Sequence, residues 1–465
     1  SPVIALTGGR NPEHRHRGVY QEFDDLAVFA PFCKFNAVVD RPARLPDLLR
    51  QAFRAATTGC PRPVHLEIAG HFAQAIEGEA ELDGVFEAAF AQYPAQRPVA
   101  DPGLMARAAR LLLDAERPIL VAGGGVTASS AQQEVVALAE KLQIPLATSL
   151  NAKGTIDEDA PLSVGVVGSY SRDCANQAVA EADLVFFIGS QTGSQVTNSW
   201  KVPRPGTRVI QLDIEGAELG RNYPNAVSLQ GDAKATLAKL LAVLTPGPPR
   251  TAWLERVKKL IADWKGKVEP HRTSSAVPMR PERLCKELQQ CLPANAILVS
   301  DTGHAGIWSG THIELKAGQR YLRAAGSLGW GVPAAIGAKC ACPDRPVVCF
   351  TGDGGFYYHF AELETAKRYN IPVVIVINDN HALSQEADIF HAAYGGKQTK
   401  SFEMWHFEDV DLAAVARALG CFGERIERPE EIAAAMQRAL ASGQPAVLDV
   451  VTDVNVLAPP PWSGG

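Results

Sequence analysis

Residues 346–386 read PVVCFTGDGGFYYHFAELETAKRYNIPVVIVINDNHALSQE, and this stretch constrains the fold more than any other. Residues 346–351 form a short apolar run bounded by Pro and Gly, and 371–377 (IPVVIVI) form a second; both have the length of a buried strand. Between them Phe356, Phe360, Leu363, Ala366 and Tyr369 recur at helical spacing, so the unit reads strand, Gly loop, helix, strand. In a right-handed parallel crossover both strands end on one sheet edge, which sets Asp353 beside Asn380. A carboxylate and an amide oxygen make a hard, oxygen-only pair, suited to Mg²⁺ or Ca²⁺ and poor for zinc. Gly352, Gly354 and Gly355 let the backbone approach whatever the metal carries, and the following helix turns its free N–H groups to the same point. The chemistry implied is a metal-bridged diphosphate.

Taken singly, each half also reads as an ordinary turn, because Gly, Asn and Asp are the usual turn residues. Together, across a helix of the right length, they resemble the signature of the thiamine-diphosphate enzymes: Gly-Asp-Gly, helix, strand, Asn-rich loop. The resemblance implies that Asp353, Asn380 and the backbone carbonyl of Ala382 hold the Mg²⁺ that bridges the diphosphate.

The remaining chain narrows the class. A length of 465 residues calls for two or three domains, and 46% hydrophobic with 21% charged residues is ordinary globular composition. The net charge of −6 and the lack of a long basic run exclude a nucleic-acid footprint. No run of about 18 apolar residues suggests a membrane span, and no secretion signal opens the chain. Nine scattered cysteines, Cys340 and Cys342 being the closest pair, read as reduced thiols of a cytoplasmic protein.

Residues 1–9 (SPVIALTGG), 46–58 and 63–68 read as strand, amphipathic helix and strand, the second half of a parallel domain. This part resembles the pyrimidine-binding domain of acetolactate-synthase-like enzymes, whose aromatic-Gln-Glu and Lys-x-Asn motifs match Tyr20-Gln21-Glu22 and Lys34-Phe35-Asn36. The resemblance puts Gln21 and Lys34 beside the substrate channel; singly they also read as surface residues. The family's activating Glu lies upstream of this stretch, and Glu13, Glu22 and Glu67 do not occupy its place. The expectation is that the first half of the domain is left out of this chain, since half a parallel sheet exposes edges and apolar faces.

Alternating strands and helices over 102–245 imply a doubly wound central domain. Gly123-Gly124-Gly125-Val126-Thr127-Ala128 fits a dinucleotide fingerprint, but the next strand ends in Thr148-Ser149-Leu150 without the acid a ribose needs. A plain Gly turn is the better reading. In the family this domain binds FAD, ADP or nothing. The FAD-binding members carry Arg and Asp where this chain has residues 190–195 (SQTGSQ), which counts against FAD.

In the last domain a strand ends at Asp301-Thr302-Gly303-His304, with Trp308 after it, and the resemblance places Gly303 and His304 at the diphosphate. His304 alone could equally be a helix cap. Residues 325–337 (AGSLGWGVPAAIG) resemble the family's loop in which a Gly carbonyl takes the 4′-amino group and an apolar residue wedges between the cofactor rings, here Gly326 and Leu328. Glu386, six residues past Asn380, matches a Glu that handles the proton at the reacting carbon in pyruvate and indolepyruvate decarboxylases. A solvated helix Glu is the other reading.

The whole implies an α/β protein of three doubly wound parallel-sheet domains, the first incomplete: 1–75 pyrimidine-binding, 76–101 linker, 102–245 central, 246–277 linker and 278–465 diphosphate-binding. Implied with it are thiamine diphosphate, Mg²⁺, a small 2-oxo acid substrate and a homodimer or homotetramer. The cofactor carries the hard chemistry: the 2-oxo acid loses CO₂, then leaves as an aldehyde or joins a second carbonyl. The rival readings are a cofactor-binding protein without turnover and a nicotinamide-dependent dehydrogenase using the Gly123 turn.

Overall fold

The computed structural model describes residues 1–9, 11, 14, 16–70, 84, 87–397 and 400–464. Glu13 and ten of the 26 residues expected to link the first two domains (76–83, 85 and 86) lie outside the described residues. Every sheet among the described residues is parallel, as runs of Val, Ile and Leu buried on both faces require. Strands β1 (Ile4–Gly8), β2 (Asn36–Val39) and β3 (Val64–Ile68) form the first sheet in the order β1-β3-β2. The helix Leu45–Thr57 covers one face through Leu48, Ala52 and Ala56, whereas Leu6, Phe23 and Phe32 stay exposed.

The second sheet takes β4 (Pro118–Ala122), β5 (Leu146–Thr148), β6 (Ser163–Val166), β7 (Leu184–Ile188), β8 (Arg208–Asp213) and β9 (Asn225–Gln230) in the order β6-β5-β4-β7-β8-β9. Strand order reverses at β4, so a crevice opens between β4 and β7 at their carboxyl ends. Gly123 and Gly125 fill a packing role there: a Cβ on Gly123 would stand 2.2 Å from the carbonyl oxygen of Gly189, which itself accepts the N–H of Gly125. The helix after this turn, Gly124–Ser129, has only 6 residues.

The third sheet has β10 (Ile297–Ser300), β11 (Arg320–Arg323), β12 (Val347–Gly352), β13 (Val374–Asp379), β14 (Phe422–Ile426) and β15 (Ala446–Val451), in the order β11-β10-β12-β13-β15-β14. Apolar clusters cover both faces of the second and third sheets. Residues 353–369 do not form one helix. They form Asp353–His359 and Glu362–Arg368, joined by a tighter step in which Leu363 N–H donates to Phe360 and Glu364 N–H to Ala361. Phe360 and Tyr369 are consequently turned outward.

The linker expected to be helical over 253–267 forms the 22-residue helix Thr251–Arg272, whose Trp253, Val257, Leu260 and Trp264 bury one stripe against the second sheet. The central and last units are joined by a buried ion-pair cluster. Lys153 Nζ and Arg172 Nη2 each meet Glu158 at 2.6 Å, and Arg172 Nε donates to the carbonyl of Thr311 at 2.9 Å. Thr311 lies in the helix His304–His312, on which Tyr170 and Leu150 pack directly: a Cβ on Gly306 would meet Tyr170 at 3.4 Å, and one on Gly310 would meet Leu150 at 2.7 Å.

Candidate active site

Register puts the two motif halves together. Gly352 pairs with Asn378 across β12 and β13, so Asp353 and Asn380 emerge side by side. Both are buried, as is Ala382. Asp353 Oδ1 accepts the N–H of Gly354 at 2.7 Å and its Oδ2 the N–H of Ala382 at 2.8 Å. Burial still pushes the Asp353 carboxyl up to about 6, against the pull of those donors. Asn380 Nδ2 donates to Ser384 Oγ at 3.0 Å, which leaves the amide oxygen outside this bond.

A cavity of about 360 Å³ opens over this pair and gathers Gly303, His304, Gly326, Leu328, Gly352, Asp353, Gly354, Gly355, Asn380, Ala382 and Glu386 from four segments. Gly303 has φ +71° and Gly326 φ +125°, conformations that favour glycine. His304 Nδ1 lies 2.9 Å from Ser384 Oγ, and burial drops its pKa to about 4, so the ring is neutral at pH 7. Glu386 is half-buried at the cavity wall, in the short turn Ser384–Glu386. Gln21 and Lys34 do not line this cavity. Lys34 Nζ donates to the carbonyls of Thr58 and, at 3.2 Å, Cys60, while Gln21 (φ +60°) borders a separate depression with Thr7 and Asp25.

Several residues escape sequence reasoning. Asp301 is 1% exposed and holds the site together: Oδ1 accepts from Gly329 N–H at 3.1 Å, and Oδ2 from Gly331 N–H at 3.0 Å and Thr351 Oγ1 at 3.2 Å. Its Asp-x-Gly setting is the only sequence signal. Ser384 links His304 to Asn380 and has no signal at all. Behind Asp353 stand Asp379, whose carboxyl is raised by burial and by the charge of Asp353, and Asp449, raised by burial and by the charge of Asp379, with Arg425 3.6 Å from Asp449.

A divalent cation fits this environment. Buried carboxyls outnumber cations, and Asp379 Oδ2 and Asn378 Oδ1 are buried without a hydrogen-bond partner. Gly354 and Gly355 form a cradle that a Cβ would obstruct, at 2.4 Å from Leu383 Cδ2 and 2.6 Å from Thr351 Oγ1. Asp353, Asp379 and His381 also bring one ligand atom each within 4.8 Å of one another, but the Nδ1 of His381 already lies 3.0 Å from Asp379. The oxygen-only set of Asp353 and Asn380 faces the cavity directly.

The central crevice is a second cavity, of about 470 Å³, lined by Gly124, Ser190, Gln195 and Asp213. An arginine reaches it after all, from another domain: Arg323, at the end of β11, together with Tyr170, which lines both cavities.

Parallel α/β units with a glycine cradle at the carboxyl edge of the sheet point to a class of enzymes that hold a diphosphate cofactor. Comparison with known proteins agrees. The model described as "Thiamine pyrophosphate enzyme, central domain" matches residues 105–240, and "Thiamine pyrophosphate enzyme, C-terminal TPP binding domain" matches 301–450. The chain is 35% identical to a probable acetolactate synthase large subunit of Methanocaldococcus jannaschii, covering 100% of this chain and 79% of that protein. It is 32% identical to a probable acetolactate synthase large subunit of Methanococcus aeolicus (97% and 77%) and 30% identical to the acetolactate synthase large subunit of Corynebacterium glutamicum (100% and 74%). The chain belongs to the thiamine pyrophosphate enzymes, in their acetolactate-synthase-like group. No described helix is long and apolar enough to cross a membrane.

Proposed function

We propose that this chain decarboxylates a 2-oxo acid and joins the remaining carbons to a second carbonyl, using thiamine diphosphate and Mg²⁺. The observation that carries the reading is the convergence of Asp353, Asn380, Gly303, Gly326, Leu328 and Glu386 on one cavity. Asp353, Asn380 and the carbonyl of Ala382 hold Mg²⁺, with Asp379 and His381 outside the ligand shell. Gly303 and His304 receive the diphosphate, with the His304 ring held through its Nδ1 contact to Ser384 Oγ at 2.9 Å. The Gly326 carbonyl accepts the aminopyrimidine, and Leu328 sets the angle between its ring and the thiazolium. When bound, the cofactor supplies the electron sink that decarboxylation needs.

Glu386 handles the proton at the reacting carbon, which gives the chain an aldehyde-releasing outcome beside carboligation. Gln21 and Lys34, distant from their own chain's cavity, serve that of a second copy, so a homodimer or homotetramer is the working assembly. The domain limits follow the same reading: 1–75, 102–245 and 278–465, with FAD having no part in the reaction. All nine cysteines are free thiols, which suits a cytoplasmic setting. Calorimetry of thiamine diphosphate binding with and without Mg²⁺, using Asp353→Ala as control, tests the reading. Mg²⁺-dependent binding that vanishes in the variant, followed by CO₂ release from pyruvate, supports it. Binding that is unaffected by Asp353→Ala overturns the metal assignment, and no binding by the native chain overturns the whole.

A further inference from the structure

Arg323 ends β11, an edge strand paired with β10 so that Arg323 stands opposite Ser300, three residues before Gly303. Its guanidinium is half-buried in the wall of the central crevice. Nε donates to the carbonyl of Ala324 at 2.6 Å and Nη1 to Gln195 Oε1 at 3.2 Å, which uses two of its five donors. Among the described residues no carboxylate pairs with it, and the nearest aromatic ring, that of Tyr170, lies 5.8 Å from its carbon. Desolvation lowers its pKa, with only the phenols of Tyr321 and Tyr170 acting the other way. A cation held out of water without a counter-charge is costly unless an anion arrives to complete it. Its fork geometry suits a carboxylate in particular.

The crevice and the diphosphate cavity share a wall at Tyr170, which lines both and rests on the helix that begins at His304. Three residues beyond Arg323 is Gly326, in the wall of the diphosphate cavity. The cation therefore stands where the two cavities meet. The donor 2-oxo acid surrenders its carboxylate as CO₂, whereas an acceptor 2-oxo acid keeps its own throughout. Only the acceptor has a lasting need for a cation. We propose that Arg323, oriented by Gln195, is the specificity-determining residue that binds the carboxylate of the acceptor 2-oxo acid. This rests on the carboligase reading above.

The test compares two acceptors that differ only by a carboxylate, 2-oxobutanoate and propanal, with pyruvate as donor and the cofactor and Mg²⁺ present. Arg323→Gln should raise the half-saturating concentration of 2-oxobutanoate about 10- to 100-fold, the worth of one charge-assisted pair, and that of propanal by less than about 2-fold. Arg323→Lys should recover part of the loss. Equal losses against both acceptors, or none against either, would overturn the assignment. Calorimetric binding of 2-oxobutanoate to native and Arg323→Gln protein gives a reading without turnover. If the native chain proves inert but binds the anion and the variant does not, the anion site stands while the carboligase reading falls. If both bind alike, the anion site falls.

Discussion

Asp353 Oδ2 accepts the backbone N–H of Ala382 at 2.8 Å across 29 residues of sequence. This bond ties the loop after β12 to the loop after β13, so the ligand oxygens of the proposed Mg²⁺ site share one fixed frame. Its cost is a buried carboxyl whose ionisation burial opposes. Site geometry and local stability therefore pull in opposite directions, and substitution should separate them.

Asp353→Asn removes the charge and, with one acceptor oxygen, serves only one of the Gly354 and Ala382 N–H groups. Mg²⁺-dependent thiamine diphosphate binding should fall by at least about 100-fold, since losing a mere outer-shell partner already costs roughly 10–100-fold. In the cofactor-free state the lost hydrogen bond costs the variant about 1–3 kcal/mol at every pH, while the native chain loses about 2–3 kcal/mol relative to it as pH rises from about 4 to 6, because its buried carboxyl must then ionise. Urea denaturation and calorimetry read the two effects. A stability difference between variant and native chain that does not change between pH 4 and 6 would contradict this account.

Gly329 and Gly326 should respond differently to alanine. At Gly329 (φ +88°) a Cβ would stand 2.5 Å from Tyr358 Cβ, so strain and clash should cost about 2–5 kcal/mol of stability. At Gly326 (φ +125°) a Cβ meets nothing within 4 Å, and only backbone strain of about 1–3 kcal/mol applies. Gly326 lines the diphosphate cavity, however, so its alanine should weaken thiamine diphosphate binding out of proportion to its small stability loss. Binding to Gly326→Ala at native strength would remove Gly326 from the cofactor site.

What the sequence disclosed and what it hid follow from the range of the contacts. The β12–helix–β13 crossover was legible because two apolar runs and their glycines lie within one local unit. The edge strands β6, β9 and β11 were not: β6 (SVGV) is interrupted by glycine, β9 buries only alternate residues, and β11 (RYLR) is half charged. The helix Thr251–Arg272 was legible as a helix, but its packing on the second sheet was not, because four buried apolar residues are diluted by many charges. Asp301 was seen as a strand end, but its partners Gly329 and Gly331 lie 28 and 30 residues away, and nothing in its neighbours announces them. Arg323 and Tyr170 come together only through domain docking.

That docking depends on Glu158. Its carboxylate is the shared partner of Lys153 and Arg172, whose side chains are 0% and 4% exposed. Glu158→Gln leaves Lys153 without its ion-pair partner and Arg172 with only Glu314, 3.7 Å away, and should cost about 3–5 kcal/mol in urea denaturation. Burial already lowers Lys153 to a pKa of about 8, so Lys153→Met should cost markedly less. Equal costs would mean that the cluster acts through packing and not through charge.

Asp213 gives the clearest pH signature, away from the diphosphate cavity. It ends β8 at the central crevice, 9% exposed, and accepts the Glu215 N–H at 2.9 Å; burial raises its pKa from 3.8 to about 6. The unfolded chain releases this proton near pH 4 and the folded chain near pH 6, so folding takes up a proton between those values. Linkage then makes stability fall as pH rises through about 4 to 6 and level off above, a loss on the order of 2–3 kcal/mol. Asp213→Asn retains an acceptor for Glu215 and cannot ionise. The variant's stability advantage over the native chain should therefore be small near pH 4, grow to about pH 6 and then stay constant, a difference in which the other carboxyls cancel. An advantage that does not change with pH would mean that Asp213 titrates in the folded chain as it does in the unfolded one.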